Sequence, residues 1–317
     1  MSEETIQKSF PVEIPANLRI SNIRGSVEIQ AGEENEISIT AVKDLDSGDE
    51  KRTAVEINQL EDGKVVVETR MLEGLLGFFN WSKPCKVTYT VRVPRQCSLH
   101  VSCVSSSAAI QGTVGSLRLS TVSGEVSLKG VNGDFDINLV SGDLEGEALS
   151  GTLKMDTVSG DVHILTSSFS QANGSTVSGN IHLESLLGEG PYRFNSVSGD
   201  VQYLLPEVAG CNVDMKTISG KLLTQFPLTS SQRSGNHLHA SVAGGGPTIT
   251  LSSVSGNLAL ATPGEAVPET EPPMDDSQNP PASNPEPAQP KISRQEILDR
   301  IANGEMTVEE ALKALKS

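Results

Sequence analysis

Apolar and polar residues alternate along most of this chain, and a recurring tripeptide interrupts the alternation. The tripeptide is Val-Ser-Gly or Ile-Ser-Gly, spaced by about 18 to 21 residues with one wider gap of about 36. A fixed period of this size indicates stacked units, each too small to bury a core alone. The glycines are Gly124, Gly142, Gly160, Gly179, Gly199, Gly220 and Gly256.

The two-residue alternation predicts β-strands with one face inward and one face in water. Apolar residues recur seven, five and two positions before each glycine and two positions after it. We therefore predict that all four rows face inward, and that the threonines three positions before the glycine (Thr121, Thr157, Thr176 and Thr217) face outward. The row two positions before the glycine comprises Val122, Val140, Val158, Val177, Val197, Ile218 and Val254.

Each unit then forms one turn of a parallel β-solenoid, in which like residues stack on like residues from turn to turn. The predicted fold class is all-β, a β-helix-like solenoid with coils of about 18 to 21 residues. The Ser-Gly pair marks the corner of each coil, since a sharp bend often needs a positive φ. The long segment 223–247 is expected to form a loop on one side of the stack.

Composition divides the chain into four predicted parts: a β-rich N-terminal module and cap at 1–95, the solenoid at 96–260, a linker at 261–291 and a helical hairpin at 292–317. Proline and acidic residues dominate the linker, so we expect an extended spacer without a core. Strands of the N-terminal module are predicted near 36–42, 53–60, 64–70 and 86–93, with a hairpin turn at Glu61-Asp62-Gly63.

Residues 292–317 carry two capping-box spacings, Ser293 with Glu296 and Thr307 with Glu310. A unit of about 25 residues is too small to be stable alone. It should dock on the solenoid, self-associate or bind a protein partner. The apolar face that would make this contact includes Ile297, Leu298, Ile301, Leu312 and Leu315.

A second apolar cluster lies between two predicted strands, in the loop 72–81. Such a loop either closes the open end of the core, which we favour, or touches lipid or a protein groove. Its candidate contact residues are Leu75, Leu76, Phe78, Phe79 and Trp81.

The formal net charge of −16 argues against nucleic acid and against anionic membrane surfaces as partners. No stretch is long and apolar enough for a transmembrane span, and the first residues do not resemble a signal peptide. We therefore expect a cytoplasmic protein, with cell-surface association as the alternative. The four cysteines lack metal-site spacing and are expected to be free thiols.

Acidic residues and histidines follow the corner glycines and would form one patch if the coils stack in register. The patch comprises Asp143, Glu145, Asp161, His163 and His182. A divalent cation could neutralise it, but an aspartate after Ser-Gly more often caps the bend. We favour the structural role and expect no metal, no cofactor and no catalytic residues, because no Ser-His-Asp or GxSxG pattern is present.

The strings TVSGEVSL, TVSGDVHI and SVSGDVQY resemble a bacterial family described as "putative adhesins" of unknown function, over roughly residues 14–260. The resemblance implies a β-solenoid built on VSGDV repeats and no established catalytic residues. The segment EILDRIANGEMTVEEALKAL resembles the short helical hairpin of Gram-positive envelope-stress proteins, and is similar to short C-terminal oligomerisation domains. In those relatives the hairpin generally precedes the solenoid, whereas here it comes last.

These features favour a non-enzymatic binding or scaffold protein, whose hairpin mediates oligomerisation or recruits a partner. The resemblance adds a role in cell-envelope stress or surface interaction. Two alternatives remain: a carbohydrate-active β-helix enzyme, which would need convergent acids in a groove, and an exported adhesin. The ligand, a carbohydrate or another envelope component, is not determined by the residues.

Overall fold

The computed structural model describes residues 2–72, 83–206 and 209–264, and this part of the chain is almost entirely β-strand. Two single-turn 3-10 helices, Leu45–Ser47 and Glu50–Arg52, interrupt it. The strands are β1 Glu3–Pro11, β2 Ala16–Gly32, β3 Glu36–Asp44, β4 Thr53–Gln59, β5 Val65–Met71, β6 Lys86–Pro94, β7 Cys97–Gln111, β8 Leu117–Ser123, β9 Val126–Lys129, β10 Asn132–Ser141, β11 Leu144–Glu147, β12 Ser150–Ser159, β13 Val162–Ser178, β14 Ile181–Leu187, β15 Tyr192–Ser198, β16 Val201–Leu204, β17 Cys211–Ser219, β18 Leu222–Thr224, β19 Leu228–Ser234, β20 His237–Val242, β21 Thr248–Ser255 and β22 Leu258–Ala261.

Successive coils pair as parallel strands in register, which confirms the all-β solenoid. Ile137 in β10 lies between Leu119 in β8 and Met155 in β12. The strands after the corner follow the same rule, since Leu144 lies between Val126 and Val162. Each coil therefore consists of one strand before the Ser-Gly corner and one strand after it, and like positions form continuous rows.

The corner glycine is required by both its conformation and its neighbours. Gly160 has φ +135°, and a Cβ atom there would lie 2.2 Å from the carbonyl oxygen of Gly142 in the coil below. Side chains other than hydrogen are excluded at that distance, because the neighbouring atom is backbone and cannot rotate away. The recurrence of glycine thus reflects close backbone stacking as well as the bend.

The rows seven and five positions before the glycine, and two after it, are buried in the core as predicted, but no residue of the row two before it belongs to that core. Val140 and Val158 are buried there, whereas Val197, Ile218 and Val254 are exposed. The row predicted to face outward is buried throughout, at Thr121, Thr157, Thr176 and Thr217. Strand alternation continues unbroken to these threonines, so the residue that follows each of them points away from the strand's inner face. The outward orientation predicted for the threonines is therefore wrong, and so is the inward orientation predicted for the row two positions before the glycine.

The order of the last coils differs from their order in the chain. β21 pairs with β15 on one side and with β17 on the other, and β22 lies between β16 and β18 in the same way. The coil of Gly256 is therefore inserted between the coils of Gly199 and Gly220. The expected side loop at 223–247 instead holds the β19–β20 hairpin, whose strand β20 pairs antiparallel with β17.

The N-terminal residues continue the stack rather than standing beside it. β2 pairs in parallel with β7 along one edge and with β5 and β6 along the other edge. β1, β3 and β4 add antiparallel strands outside β5 and β6. The four strands expected before residue 95 are confirmed, and the turn at Glu61-Asp62-Gly63 joins β4 to β5 with Gly63 at φ +81°.

The parallel pairing crosses residue 95, so the boundary between the predicted module 1–95 and the solenoid is not marked by a break in the stack. As a domain boundary it stays a prediction. The candidate contact residues of the loop 72–81 and of the hairpin 292–317 lie outside the described residues, as does most of the predicted linker. Within the described ranges, no helix is long and apolar enough to cross a membrane.

Candidate binding surfaces

The residue after each corner glycine forms a row of side-chain to backbone hydrogen bonds along the solenoid. In five of these residues the side-chain oxygen accepts a hydrogen bond from the backbone N–H of the counterpart in the neighbouring coil. This row, the corner ladder, satisfies donors that would otherwise be unpaired at the bend. Its bonds run from Asp161 to Asp143 at 2.9 Å, Asn180 to Asp161 at 2.8 Å, Asp200 to Asn180 at 3.0 Å, Asn257 to Asp200 at 2.7 Å and Lys221 to Asn257 at 3.0 Å.

Two positions further along, Glu145, His163, His182 and Gln202 stack in register on the outer face. The rings of His163 and His182 lie 4.3 Å apart, and His182 Nδ1 is 3.0 Å from the Oε1 atom of Gln202. Partial burial lowers the pKa of His182, and the charge of His163 lowers it further. The stacked pair therefore disfavours a second positive charge, and His182 is neutral near pH 7.

Beside this row lies an open groove of about 300 Å³, lined by polar side chains together with Leu128, Gly146 and Leu165. Lys129 and Glu147 form an exposed ion pair of 2.9 Å along one edge. The His–Glu groove, as we name it, presents carboxylates, an ammonium group, an imidazole and hydroxyls. Its lining includes Ser127, Lys129, Glu145, Glu147, His163 and Thr166.

The structure divides the five residues of the proposed metal patch between two separate rows. Asp143 and Asp161 belong to the corner ladder, and Glu145, His163 and His182 belong to the row of the His–Glu groove. Across residues 2–72, 83–206 and 209–264, no three His, Cys, Asp or Glu side chains are grouped so that they could hold a metal ion. The aspartates accept hydrogen bonds from the backbone of the neighbouring coil, whereas the structural interpretation expected each of them to cap its own bend.

A second groove, of about 480 Å³, lies on the face before the corner and was not identified from the sequence. Arg19, His100 and Arg118 stack in register there, with Lys64 nearby. Partial burial lowers the pKa of His100, and the charges of Arg19, Arg118 and Lys64 add to the effect. Reading the outward row six positions before each glycine would have revealed this concentration of cations in an acidic chain.

The repeated corner serines do not form a catalytic arrangement. Among the described residues, no serine hydroxyl is hydrogen-bonded to a histidine, which a Ser-His pair requires. The four cysteines are free and buried. Burial raises the pKa of Cys97 to about 12 and that of Cys103 to about 11, so neither thiol is an activated nucleophile.

The residues that form the solenoid are also the residues that match a known protein family. The profile of the family described as Toastrack DUF4097 matches residues 16–261, from the start of β2 to the end of β22. The chain belongs to this Toastrack family. The matched range contains every coil of the parallel stack, and it excludes β1 and residues 262–317. No curated protein matches the chain.

Several solved structures are similar to this Toastrack chain at low identity. A "putative adhesin" from Bacteroides fragilis is 12% identical, with 82% of this chain and 97% of that chain covered and a TM-score of 0.45. A "putative adhesin" from Parabacteroides distasonis is 11% identical, with 81% and 97% covered and a TM-score of 0.41. A "putative lipid binding protein" from the same species is 10% identical, with 81% and 96% covered and a TM-score of 0.41.

Proposed function

We propose that this Toastrack protein is a non-enzymatic binding protein that holds a polar polymer along the outer face of its solenoid. The observation that carries the proposal is the in-register stacking of Glu145, His163, His182 and Gln202 beside the His–Glu groove. Strand spacing repeats these groups about every 4.8 Å, so an extended chain can contact several coils at once. Weak contacts then add through effective concentration.

A carbohydrate fits this face better than an apolar ligand. Carboxylate, imidazole, amide and hydroxyl groups pair with sugar hydroxyls through hydrogen bonds, and the groove is open to solvent. Among its lining residues there is no aromatic ring for stacking beyond the imidazole of His163. We therefore expect modest affinity for each sugar and strong dependence on polymer length.

The experiment measures binding of the full-length protein to an array of bacterial cell-wall polysaccharides, with neutral dextran as a blank. The variant Glu145→Ala with His163→Ala and His182→Ala removes the outer groups of the row. The matched control is Asn173→Ala with Arg193→Ala, on the face before the corner. Binding that falls at least tenfold in the first variant alone supports the proposal, and equal binding in all three proteins contradicts it.

Location in the cell belongs to the same proposal. We place the protein in the cytoplasm, where it would meet envelope components or their precursors, and the four free cysteines suit a reducing compartment. The exported adhesin remains the competing function, favoured by the family resemblance. Cell fractionation with an antibody against the full chain distinguishes them, since surface labelling of intact cells is expected only for the adhesin.

We also propose that residues 292–317 self-associate or recruit a protein partner, as the resemblance to envelope-stress proteins and to oligomerisation domains implies. The apolar positions of this segment support that role, because a unit of this size needs a surface to pack against. Light scattering of the full chain, across a hundredfold range of concentration, tests self-association. A constant monomer mass would exclude self-association. The apolar face of residues 292–317 would then pack against a separate partner or against the solenoid itself.

A further inference from the structure

Four consecutive coils expose a short apolar groove at the end of the solenoid where the described chain stops. The groove consists of Val177, Val197, Val254 and Ile218, one residue from each coil. Their neighbours pair in register on both sides: Thr176 with Ser196, Ser196 with Ser253, and Ser253 with Thr217. We name it the valine groove, and its volume is about 420 Å³.

The exposure of these side chains is unusual for a solvated sheet face. Val197, Val254 and Ile218 are 40%, 45% and 68% exposed, and they adjoin one another. The surrounding residues are serines, one threonine and one asparagine, and Lys216 is the only charged residue among those that line the groove. In a chain of net charge −16, such a neutral apolar strip is the mark of a contact surface.

The dimensions of the valine groove match one short amphipathic helix. Three strand spacings of about 4.8 Å give a length of about 14 Å. A helix rises 1.5 Å per residue, so about nine or ten residues span the groove. Each predicted helix of 292–317 has this length and carries an apolar face, with Leu298 on the first and Leu312 on the second.

The chain itself brings this segment to the groove. Val254 lies in β21, β22 follows in the same coil and ends at Ala261, and the described chain continues to Gly264. Residues 265–291 belong to the linker expected from the composition, and a flexible tether of 27 residues has a root-mean-square span of about 30 Å. The tether exceeds the length of the groove, and its effective concentration is in the millimolar range.

From these observations we infer that residues 292–317 dock into the valine groove of their own chain. A second copy would need to bind roughly a thousandfold more tightly to displace a tethered segment when the protein is micromolar. The inference extends the proposed role of this segment. A partner that binds its apolar face must first compete with the groove, so recruitment is held in check by the solenoid. The docking inference does not depend on which polymer the His–Glu groove holds.

The test measures how fast a maleimide reacts with a thiol placed in the groove of the full-length chain by the substitution Val254→Cys. The native cysteines of the described chain are buried and react slowly. The rate is compared with that in a chain that also carries Leu298→Asp and Leu312→Asp, which break the apolar face. Ser230→Cys, on the exposed strand β19, is the matched reporter and should react equally in both backgrounds.

Docking predicts that the thiol introduced by Val254→Cys reacts at least tenfold more slowly with the native tail, for a dissociation constant of about 0.1 mM against a millimolar effective concentration. The protection should persist on dilution to nanomolar protein. Equal rates with native and altered tails overturn the inference. Protection that disappears on dilution overturns it as well, because the occupant would then be a second copy. Neither outcome depends on the polymer-binding experiment, so the two proposals fail separately.

Discussion

At the scale of single residues, the position after the corner glycine shows how one side chain serves the neighbouring coil. Aspartate and asparagine both occur there, and both accept the backbone N–H of the next coil through the same side-chain oxygen. The charge of the aspartate is therefore unnecessary for this role. Because adjacent carboxylates repel one another, the interspersed asparagines reduce the unfavourable charge density along the ladder.

Two substitutions at Asp161 distinguish the contribution of its hydrogen bond to stability from that of its charge. Asp161→Ala leaves the backbone N–H of Asn180 without its 2.8 Å acceptor, and we expect it to lower the free energy of unfolding by about 1 kcal/mol. Asp161→Asn keeps an acceptor and should change stability by less than about 0.5 kcal/mol. Urea denaturation of both variants is the measurement. Equal losses in the two would show that the carboxylate charge matters instead.

At the scale of elements, the strands before each corner carry a buried column of hydroxyls three positions before the glycine. Thr121, Thr157, Thr176, Ser196 and Ser253 have no hydrogen-bond partner among the described residues, whereas Thr217 Oγ1 donates to Gly256 O at 3.3 Å. A buried hydroxyl without a partner is less favourable than a methyl group of the same size. β-Branched shape, rather than hydrogen bonding, is what this column contributes to packing.

Replacing such a hydroxyl by a methyl group should therefore be tolerated. We expect Thr157→Val to leave the free energy of unfolding unchanged or to raise it by up to about 1 kcal/mol, since Thr157 is fully buried. Thr217→Val removes a hydrogen bond and serves as the matched comparison, with a loss of about 0.5 to 1 kcal/mol. Thermal and urea denaturation measure both. A loss above about 1 kcal/mol for Thr157→Val would show that its hydroxyl is paired in solution.

At the scale of the whole molecule, antiparallel strands cover both strands of the first coil and the strand before the corner in the last coil. β1, β3 and β4 cover the coil of β5 and β6, and β20 with β19 covers β17. An uncovered parallel edge would offer a row of unpaired backbone groups to another molecule. The caps therefore keep a stack of similar coils from extending by edge-to-edge association.

A single buried charge should separate the C-terminal cap, formed by β19 and β20, from β17. Ala240 in β20 is buried opposite Val213 of β17, so Ala240→Asp places an unpaired carboxylate at the end of the core. We expect the cap to separate and the exposed β17 edge to cause concentration-dependent association, measured by size exclusion with light scattering. Gln232→Asp on the exposed strand β19 is the control and should behave like the parent chain. Monomeric Ala240→Asp would contradict the role of the cap.

The strands, the period and the registration of like residues could all be predicted from the pattern of residues. Alternation within a strand is local, and stacking identical corners forces neighbouring coils into register, so Leu119, Ile137 and Met155 could be aligned without coordinates. The stacking of Glu145, His163 and His182 followed from the same argument.

Three further features became clear only from the folded structure. Thr157 lies inside and Val197 outside because strand alternation continues up to the corner, although their polar and apolar character pointed the other way. The insertion of the Gly256 coil before that of Gly220, and the antiparallel caps, depend on pairing between distant segments. Such pairings are selected by the energy of the whole stack, which no local pattern encodes.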